Sequence, residues 1–187
     1  MREEAAKNQK FERKFIVTLP DLWVLSNQYV NFTVKIKQTF LRNKNKDGDC
    51  HVRREKINGQ VSYYYSRKIC DRERGLRIVA EEYEISREEY EELIKTRVHP
   101  QTAVIEKTRY VFDYKEQTFN LDILSEEVIN EDRKTLLSKK EGILMIELPF
   151  PEEHLELPRS IFIQSEITND MSYTTKALAK VLMRNKN

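Results

Sequence analysis

The sequence predicts a mainly β (α+β) protein: a closed antiparallel barrel of about eight strands, with a charged lumen and peripheral helices. Segment after segment alternates apolar and charged residues with a period of two, as strands with one buried face do. The charged faces carry both signs, so carboxylates and cations would meet inside a closed barrel. Few helices interrupt the strands, which favours sequential antiparallel pairing.

Composition sets the broad class of the protein. The chain has 187 residues, of which 39% are hydrophobic and 34% charged, enough apolar residues for a core. We expect a flexible, polar N-terminus over 1–9 and a single domain over 10–187. Lys and Arg number 33 against 31 Asp and Glu, and a net charge of +2 argues against nucleic-acid binding by bulk charge.

The sequence offers no disulfide framework and no targeting or membrane segment. Cys50 and Cys70 are isolated cysteines, which form neither a disulfide framework nor a zinc site. The N-terminal residues lack the apolar core of a signal peptide, and no run approaches the length of a membrane span. A soluble cytoplasmic protein without membrane contact is the simplest interpretation.

The first half of the chain predicts five strands and two helices. The first strand begins at Lys10 and ends before Pro20, and Asp21 then caps a short helix over 22–27. Ser86 begins a second helix, with Glu89 three residues later in a capping-box pattern. The other predicted strands cover 34–41, 50–56, 60–70 and 76–85, with a hairpin turn at Asn58-Gly59 between the second and third of these.

The second half continues with strands. They are predicted over 102–114, 118–124, 142–148 and 160–168, and a helix follows over 172–183. The spacing of Val128, Ile129, Leu136 and Leu137 within 125–140 allows one or two helical turns.

Several segments resemble one known family. Lys10-Phe11-Glu12-Arg13-Lys14-Phe15 resembles the N-terminal E-x-E-x-K strand of the triphosphate tunnel metalloenzymes, or CYTH superfamily. Later segments fit in the family's order, most specifically Glu106–Tyr110 and Glu166–Ala179. The resemblance runs from about Lys10 to Leu182 and implies the barrel fold.

The resemblance also implies a function, the metal-dependent hydrolysis of a triphosphate inside the barrel. The substrate would be inorganic tripolyphosphate or an organic triphosphate such as thiamine triphosphate or a nucleotide. A triphosphate needs several fixed cations, and Mg²⁺ or Mn²⁺ needs carboxylate oxygens. No feature identifies an adenine pocket, so a nucleotide cyclase is less favoured.

The resemblance assigns three groups of site residues. The triphosphate would be bound by Lys14, His51, Arg53, Lys68, Lys107, Arg109 and Lys176. Metal would be held by Glu12, Asp122 and Glu147. Glu82 and Glu84 would act in catalysis by assisting the attacking water.

The chain departs from the family's pattern at four positions, and two alternatives follow. Lys10 and Pro149 stand where acids are expected, His51 replaces an Arg, and Thr175 replaces a common Asn. A lost acid weakens metal binding, so the alternative function is a barrel that binds a polyphosphate or nucleotide without cleaving it. The alternative fold is an open α+β sheet whose charged face is in water.

Overall fold

The computed structural model describes residues 11–43, 48–71, 76–132, 134–148 and 154–186. Predictions for 1–10, for the turn at 44–47 and for Pro149 lie outside these residues. The elements are β1 (Phe11–Thr18), α1 (Leu22–Gln28), β2 (Val30–Leu41), β3 (Asp49–Ile57), β4 (Gln60–Asp71), β5 (Leu76–Ile85), α2 (Arg87–Arg97), β6 (Ile105–Tyr114), β7 (Gln117–Leu124), β8 (Val128–Ile129), β9 (Thr135–Leu137), β10 (Glu141–Leu148), β11 (Phe162–Glu166), a 3₁₀ turn (Met171–Tyr173) and α3 (Thr175–Asn185).

The prediction of a closed eight-stranded barrel is wrong. Nine strands form one antiparallel sheet in the order β11-β1-β10-β7-β6-β2-β3-β4-β5, and within the described ranges β11 and β5 are its open edges. The reason lies at β1, where Phe15–Thr18 pair with β11. The part of this β1 edge over Phe15–Thr18 is therefore occupied by β11, and β5 does not pair with β1 in the described ranges.

The sheet nevertheless curls. Lys68 on β4 reaches Glu12 on β1, with Lys68 Nζ 3.9 Å from Glu12 Oε2, although six places separate these strands in the order. We call the face that carries these two side chains the inner face. The charged residues of this face therefore meet across the curl. They would not meet in the alternative fold, an open sheet whose whole charged face is in water.

Local signals placed most elements correctly. Asp21 Oδ1 accepts hydrogen bonds from the backbone N–H groups of Trp23 and Val24, which fixes the start of α1. The backbone N–H of Glu89 donates to Ser86 Oγ at 3.0 Å and caps α2. At the predicted hairpin, φ is +49° at Asn58 and +90° at Gly59, the left-handed values that this tight turn requires.

The prediction of helical turns in 125–140 is wrong, because this segment forms the short antiparallel pair β8–β9. Val128 and Leu137 are opposite each other in this pair and are fully buried. Both belong to the apolar cluster that includes Leu178 and Leu182 of α3. Packing against α3 therefore decides the local structure here, rather than the spacing of apolar residues along the segment.

Apolar packing covers the outer face and closes one end of the inner face. On the outer face, α1 packs over Phe15 and Phe112, and α2 packs over Val52 and Tyr65. On the inner face, α3 closes one end through the cluster described above. In the described part of the chain, no helix is long and apolar enough to span a membrane.

Candidate functional site

The inner face of the sheet contains a cavity of about 150 Å³, which we call the charged cavity. Among the residues described, six cations and four carboxylates line it, and α3 contributes to one side. Its lining residues are Glu12, Lys14, Gln38, Phe40, Asp49, His51, Arg53, Lys68, Glu82, Lys107, Arg109, Asn120, Met145, Glu147, Thr175 and Lys176.

Strand register explains why these side chains converge. Lys14 of β1 is opposite Met145 of β10, which is opposite Asn120 of β7. Side chains at directly paired positions lie on the same face of a sheet, so these three form one row across the inner face. A second row runs across four other strands through Phe40, His51, Ser66 and Glu82.

Asp122 lies just beneath this lining, in a buried cluster with two cations. Lys107 Nζ is 2.5 Å from Asp122 Oδ2, and Arg109 donates to both oxygens at 2.7 and 2.9 Å. Burial works to raise the pKa of Asp122, but the adjacent Lys107 and Arg109 hold it well below its usual range. The cluster thus presents two cations, fixed by one carboxylate, to the cavity above.

The two cations of this cluster differ in how strongly they hold their protons. Burial lowers the pKa of Lys107 to about 8, despite the attraction of Asp122. Burial also works against the charge on Arg109, but the contact with Asp122 raises the pKa of Arg109. Arg109 therefore stays charged at every accessible pH, whereas Lys107 loses its proton more easily than an ordinary lysine.

Arg53 lies at the centre of a second network. Its Nη2 is 3.0 Å from Glu82 Oε2 and its Nε is 3.4 Å from Glu55 Oε1. Among the described residues that buried Nε has no partner of hydrogen-bond geometry. Ser66 Oγ donates to Glu82 Oε2 at 2.7 Å. Burial favours a higher pKa for Glu82, but Arg53, Ser66 and Lys68 together lower it.

Two further cations pair with carboxylates around the cavity. Lys14 Nζ is 2.7 Å from Glu12 Oε1, and Lys176 Nζ is 2.7 Å from Asp49 Oδ1. The second pair joins the first turn of α3 to the start of β3. Thr174 Oγ1 accepts from the backbone N–H of Ala177 at 3.2 Å and caps this helix.

Glu12 and Glu147 are directly opposite each other on β1 and β10. Both line the charged cavity, and Glu147 is exposed. Two carboxylates at paired positions on one sheet face are close enough to share a cation. They are therefore the two metal-ligand candidates that the structure brings together.

Ten of the twelve predicted site residues line the charged cavity, and two do not. Asp122, predicted as a metal ligand, lies below the lining with both oxygens bonded to cations. Glu84, predicted as catalytic, is exposed further along β5, opposite Tyr64. Metal binding by Asp122 and catalysis by Glu84 stay predictions.

Sequence reasoning missed four polar residues of the lining: Gln38, Asn120, Asp49 and Thr175. A signal existed for the first two. Gln38 is a polar residue on the otherwise apolar face of β2, and Asn120 shares a strand face with Asp122. Asp49 gave no such signal, because its partner Lys176 is 127 positions away along the chain.

Comparison with known proteins identifies the fold. No protein-family model matches the sequence, and no curated protein matches it. The structure is similar to the crystal structure of the inorganic triphosphatase NE1496, with 21% identity, a TM-score of 0.52, and coverage of 92% of this chain and 95% of that chain. It is also similar to the PH1819 protein from Pyrococcus horikoshii OT3, with 18% identity, a TM-score of 0.50, and coverage of 76% and 80%.

At these identities the likeness shows the fold alone. The chain shares the fold of these two proteins, a CYTH-like fold, and the recognition of that fold from the sequence is confirmed.

Proposed function

We propose that this protein hydrolyses a triphosphate in the charged cavity with the help of Mg²⁺ or Mn²⁺. The observation that carries the proposal is the convergence of six cationic side chains, from four strands and one helix, on one cavity. Charges that serve only solubility stay in water, because removing them from water costs free energy that only counter-charges or a ligand offset. The likeness of the fold to an inorganic triphosphatase also supports it.

The cations would bind the phosphates in different ways. Lys107 and Arg109, held from below by Asp122, form a rigid pair. Lys14 and Lys176 pair with carboxylates of the cavity and would exchange them for phosphate oxygens. The buried Arg53 Nε would gain in a phosphate oxygen the hydrogen-bond acceptor that it otherwise lacks among the described residues. His51 and Lys68 complete the proposed phosphate ligands.

The carboxylates fit a metal ion that is bound together with the substrate. The described residues contain no group of three or more His, Cys, Asp or Glu suited to a metal. Mg²⁺ usually takes only one or two protein carboxylates and completes its coordination with phosphates and water. Glu12 and Glu147 would supply these carboxylates, and such an ion supplies charge neutralisation and Lewis acidity to phosphoryl transfer.

Glu82 is the best candidate to orient the attacking water. Arg53 and Ser66 fix its carboxylate in place, and its lowered pKa keeps it ionised near neutral pH. An ionised carboxylate accepts a hydrogen bond from water and so aims the water oxygen towards the terminal phosphate. Catalysis then depends on positioning, as is usual for phosphoryl transfer.

A second candidate function is binding of a polyphosphate or nucleotide without cleavage. Lys10 and Pro149 replace two expected acids, and Glu12 already pairs with Lys14. Both observations favour a site that depends on cations rather than on metal.

The test is phosphate release from tripolyphosphate, thiamine triphosphate and ATP, each with and without Mg²⁺ or Mn²⁺. We expect metal-dependent release from at least one of them, reduced at least tenfold in Lys176→Ala because a charge-assisted contact is lost. Lys180→Ala removes the same charge from an exposed position one turn later on α3 and should leave release unchanged. No release from any substrate by folded protein would contradict hydrolysis.

A further inference from the structure

A second cavity of about 270 Å³ lies on the inner face, at the end of the β3–β4 hairpin. We call it the hairpin cavity. Its lining residues are Glu55, Ile57, Asn58, Gln60, Ser62 and Tyr64. Glu55 and Ile57 continue the row of inner-face positions that begins with His51 and Arg53 on β3, since alternate residues of a strand share a face.

The hairpin cavity and the charged cavity share a wall. Arg53 lines the charged cavity, Tyr64 lines the hairpin cavity, and the two residues are direct cross-strand partners. The Arg53 guanidinium carbon is 5.7 Å from the centroid of the Tyr64 ring. Arg53 also pairs with Glu55 of the hairpin cavity. A ligand held by Arg53 through a phosphate therefore has the Tyr64 ring next to it.

The side chains on the two sides of this wall differ in charge. None of the described residues that line the hairpin cavity is a cation, which makes it a poor site for phosphate. Ile57 packs against the buried apolar cluster of Val34, Ile36 and Val111. Beside this apolar base, Gln60 and Ser62 offer side-chain donors and acceptors.

We infer that the substrate is an organic triphosphate whose flat heteroaromatic group lies in the hairpin cavity, next to Tyr64. The inference rests on the proposed function, since the charged cavity must hold the phosphates. An aromatic ring gives a stacking surface, and amide and hydroxyl groups bind the polar edge of a heterocycle. From Arg53 to Ile57 the strand runs about 13 Å, long enough for a sugar and a base.

The test compares ligands that differ only in the organic part, with direct binding as the readout. Calorimetry in the presence of Mg²⁺ would measure ATP, thiamine triphosphate and tripolyphosphate on the wild-type protein, Tyr64→Leu and the double variant Gln60→Ala/Ser62→Ala. The double variant does not touch Arg53, so it separates loss of the ring site from a disturbed phosphate site. Lys56→Ala, an exposed change on the outer face of the same hairpin, is the control.

We expect at least one organic triphosphate to bind more tightly than tripolyphosphate. Its affinity should fall about tenfold in Tyr64→Leu, as for the loss of one stacking contact, and should fall also in the double variant. Tripolyphosphate should bind the double variant and the control as it binds the wild type.

Two outcomes would overturn the inference in different ways. If tripolyphosphate binds as tightly as the organic ligands and neither variant discriminates between them, the ring site is wrong while the proposed function stands. If none of the three ligands binds folded protein, the proposed function fails, and the inference fails with it.

Discussion

The Lys107 ammonium lies 2.5 Å from the Asp122 carboxylate beneath the charged cavity, and both side chains are buried. Arg109 binds the other oxygen of the same carboxylate at 2.7 Å. One acid therefore holds two cations that we propose to bind phosphate. This relationship makes Asp122 a residue on which both stability and phosphate binding depend.

Replacing Asp122 with Asn should destabilise the protein strongly. The change leaves Lys107 and Arg109 buried without their counter-charge, which costs roughly 3 kcal/mol in comparable buried pairs. Urea unfolding would measure the loss. Asp113→Asn on neighbouring β6 is the matched control, because Asp113 is exposed and its partners among the described residues are the neutral side chains of Thr118 and Asn31. Equal losses in the two variants would contradict the account.

The stability that Asp122 contributes should depend on pH in a defined direction. Its folded pKa is lowered, so the contribution is fully present above the unfolded pKa of about 4 and is lost as pH falls towards the folded value. The difference in unfolding free energy between wild type and Asp122→Asn should therefore shrink as the pH falls below 4. A difference that grows on acidification would show that the carboxylate is not held ionised by its neighbours.

Replacing Asp49 with Asn should tighten tripolyphosphate binding when no metal is present. Asp49 pairs with Lys176 and so competes with phosphate for that cation. Calorimetry in a chelating buffer would compare Asp49→Asn with Glu131→Gln. The control removes an acid that pairs with Arg184 on the exposed end of the same helix. Unchanged or weaker binding in Asp49→Asn would mean that Lys176 does not contact the ligand.

Replacing Ser66 with Ala should shift the acid limb of the pH–rate profile to higher pH. The Ser66 hydroxyl donates to Glu82 and is one of the groups that lower the pKa of this carboxylate. Without it, Glu82 protonates at a higher pH and stops orienting water sooner as pH falls. Ser165→Ala, an exposed change on β11, should leave the profile in place. An unshifted profile in Ser66→Ala would remove Glu82 from the mechanism.

The period-two pattern explains how much of the site could be predicted. It assigned Lys14, Arg53 and Arg109 to the inner face of their strands, and all three line the charged cavity. The pattern does not show how far along a strand the cavity extends. Glu84 therefore fits the pattern as well as Glu82 does, although the lining on β5 includes Glu82 and not Glu84. The pattern also does not show how deeply a side chain is buried. Asp122 lies below the lining, where its carboxylate bonds to two cations of β6.

Closure of the sheet could not be predicted from the pattern either. Any strand with one apolar face fits both a closed barrel and an open, curled sheet. The outcome depends on Phe162–Glu166 pairing with the free edge of β1, a contact made across more than 140 positions of the chain. In the same way, Val128 and Leu137 pack against α3 in extended form, although their spacing permits a helix.

The most direct test of the central claim, a metal-dependent triphosphate site, is calorimetry of tripolyphosphate with and without Mg²⁺ on the wild type, Glu147→Gln and Lys14→Ala. Lys37→Ala, which removes an exposed cation paired with Glu106 on the outer face, is the control. We predict that Mg²⁺ strengthens binding to wild type and control, that Glu147→Gln loses this gain, and that Lys14→Ala binds weakly in both conditions. An affinity that does not change with Mg²⁺ or in Glu147→Gln, but is lost in Lys14→Ala, would contradict the metalloenzyme account. It would establish a receptor that binds the ligand through cations alone.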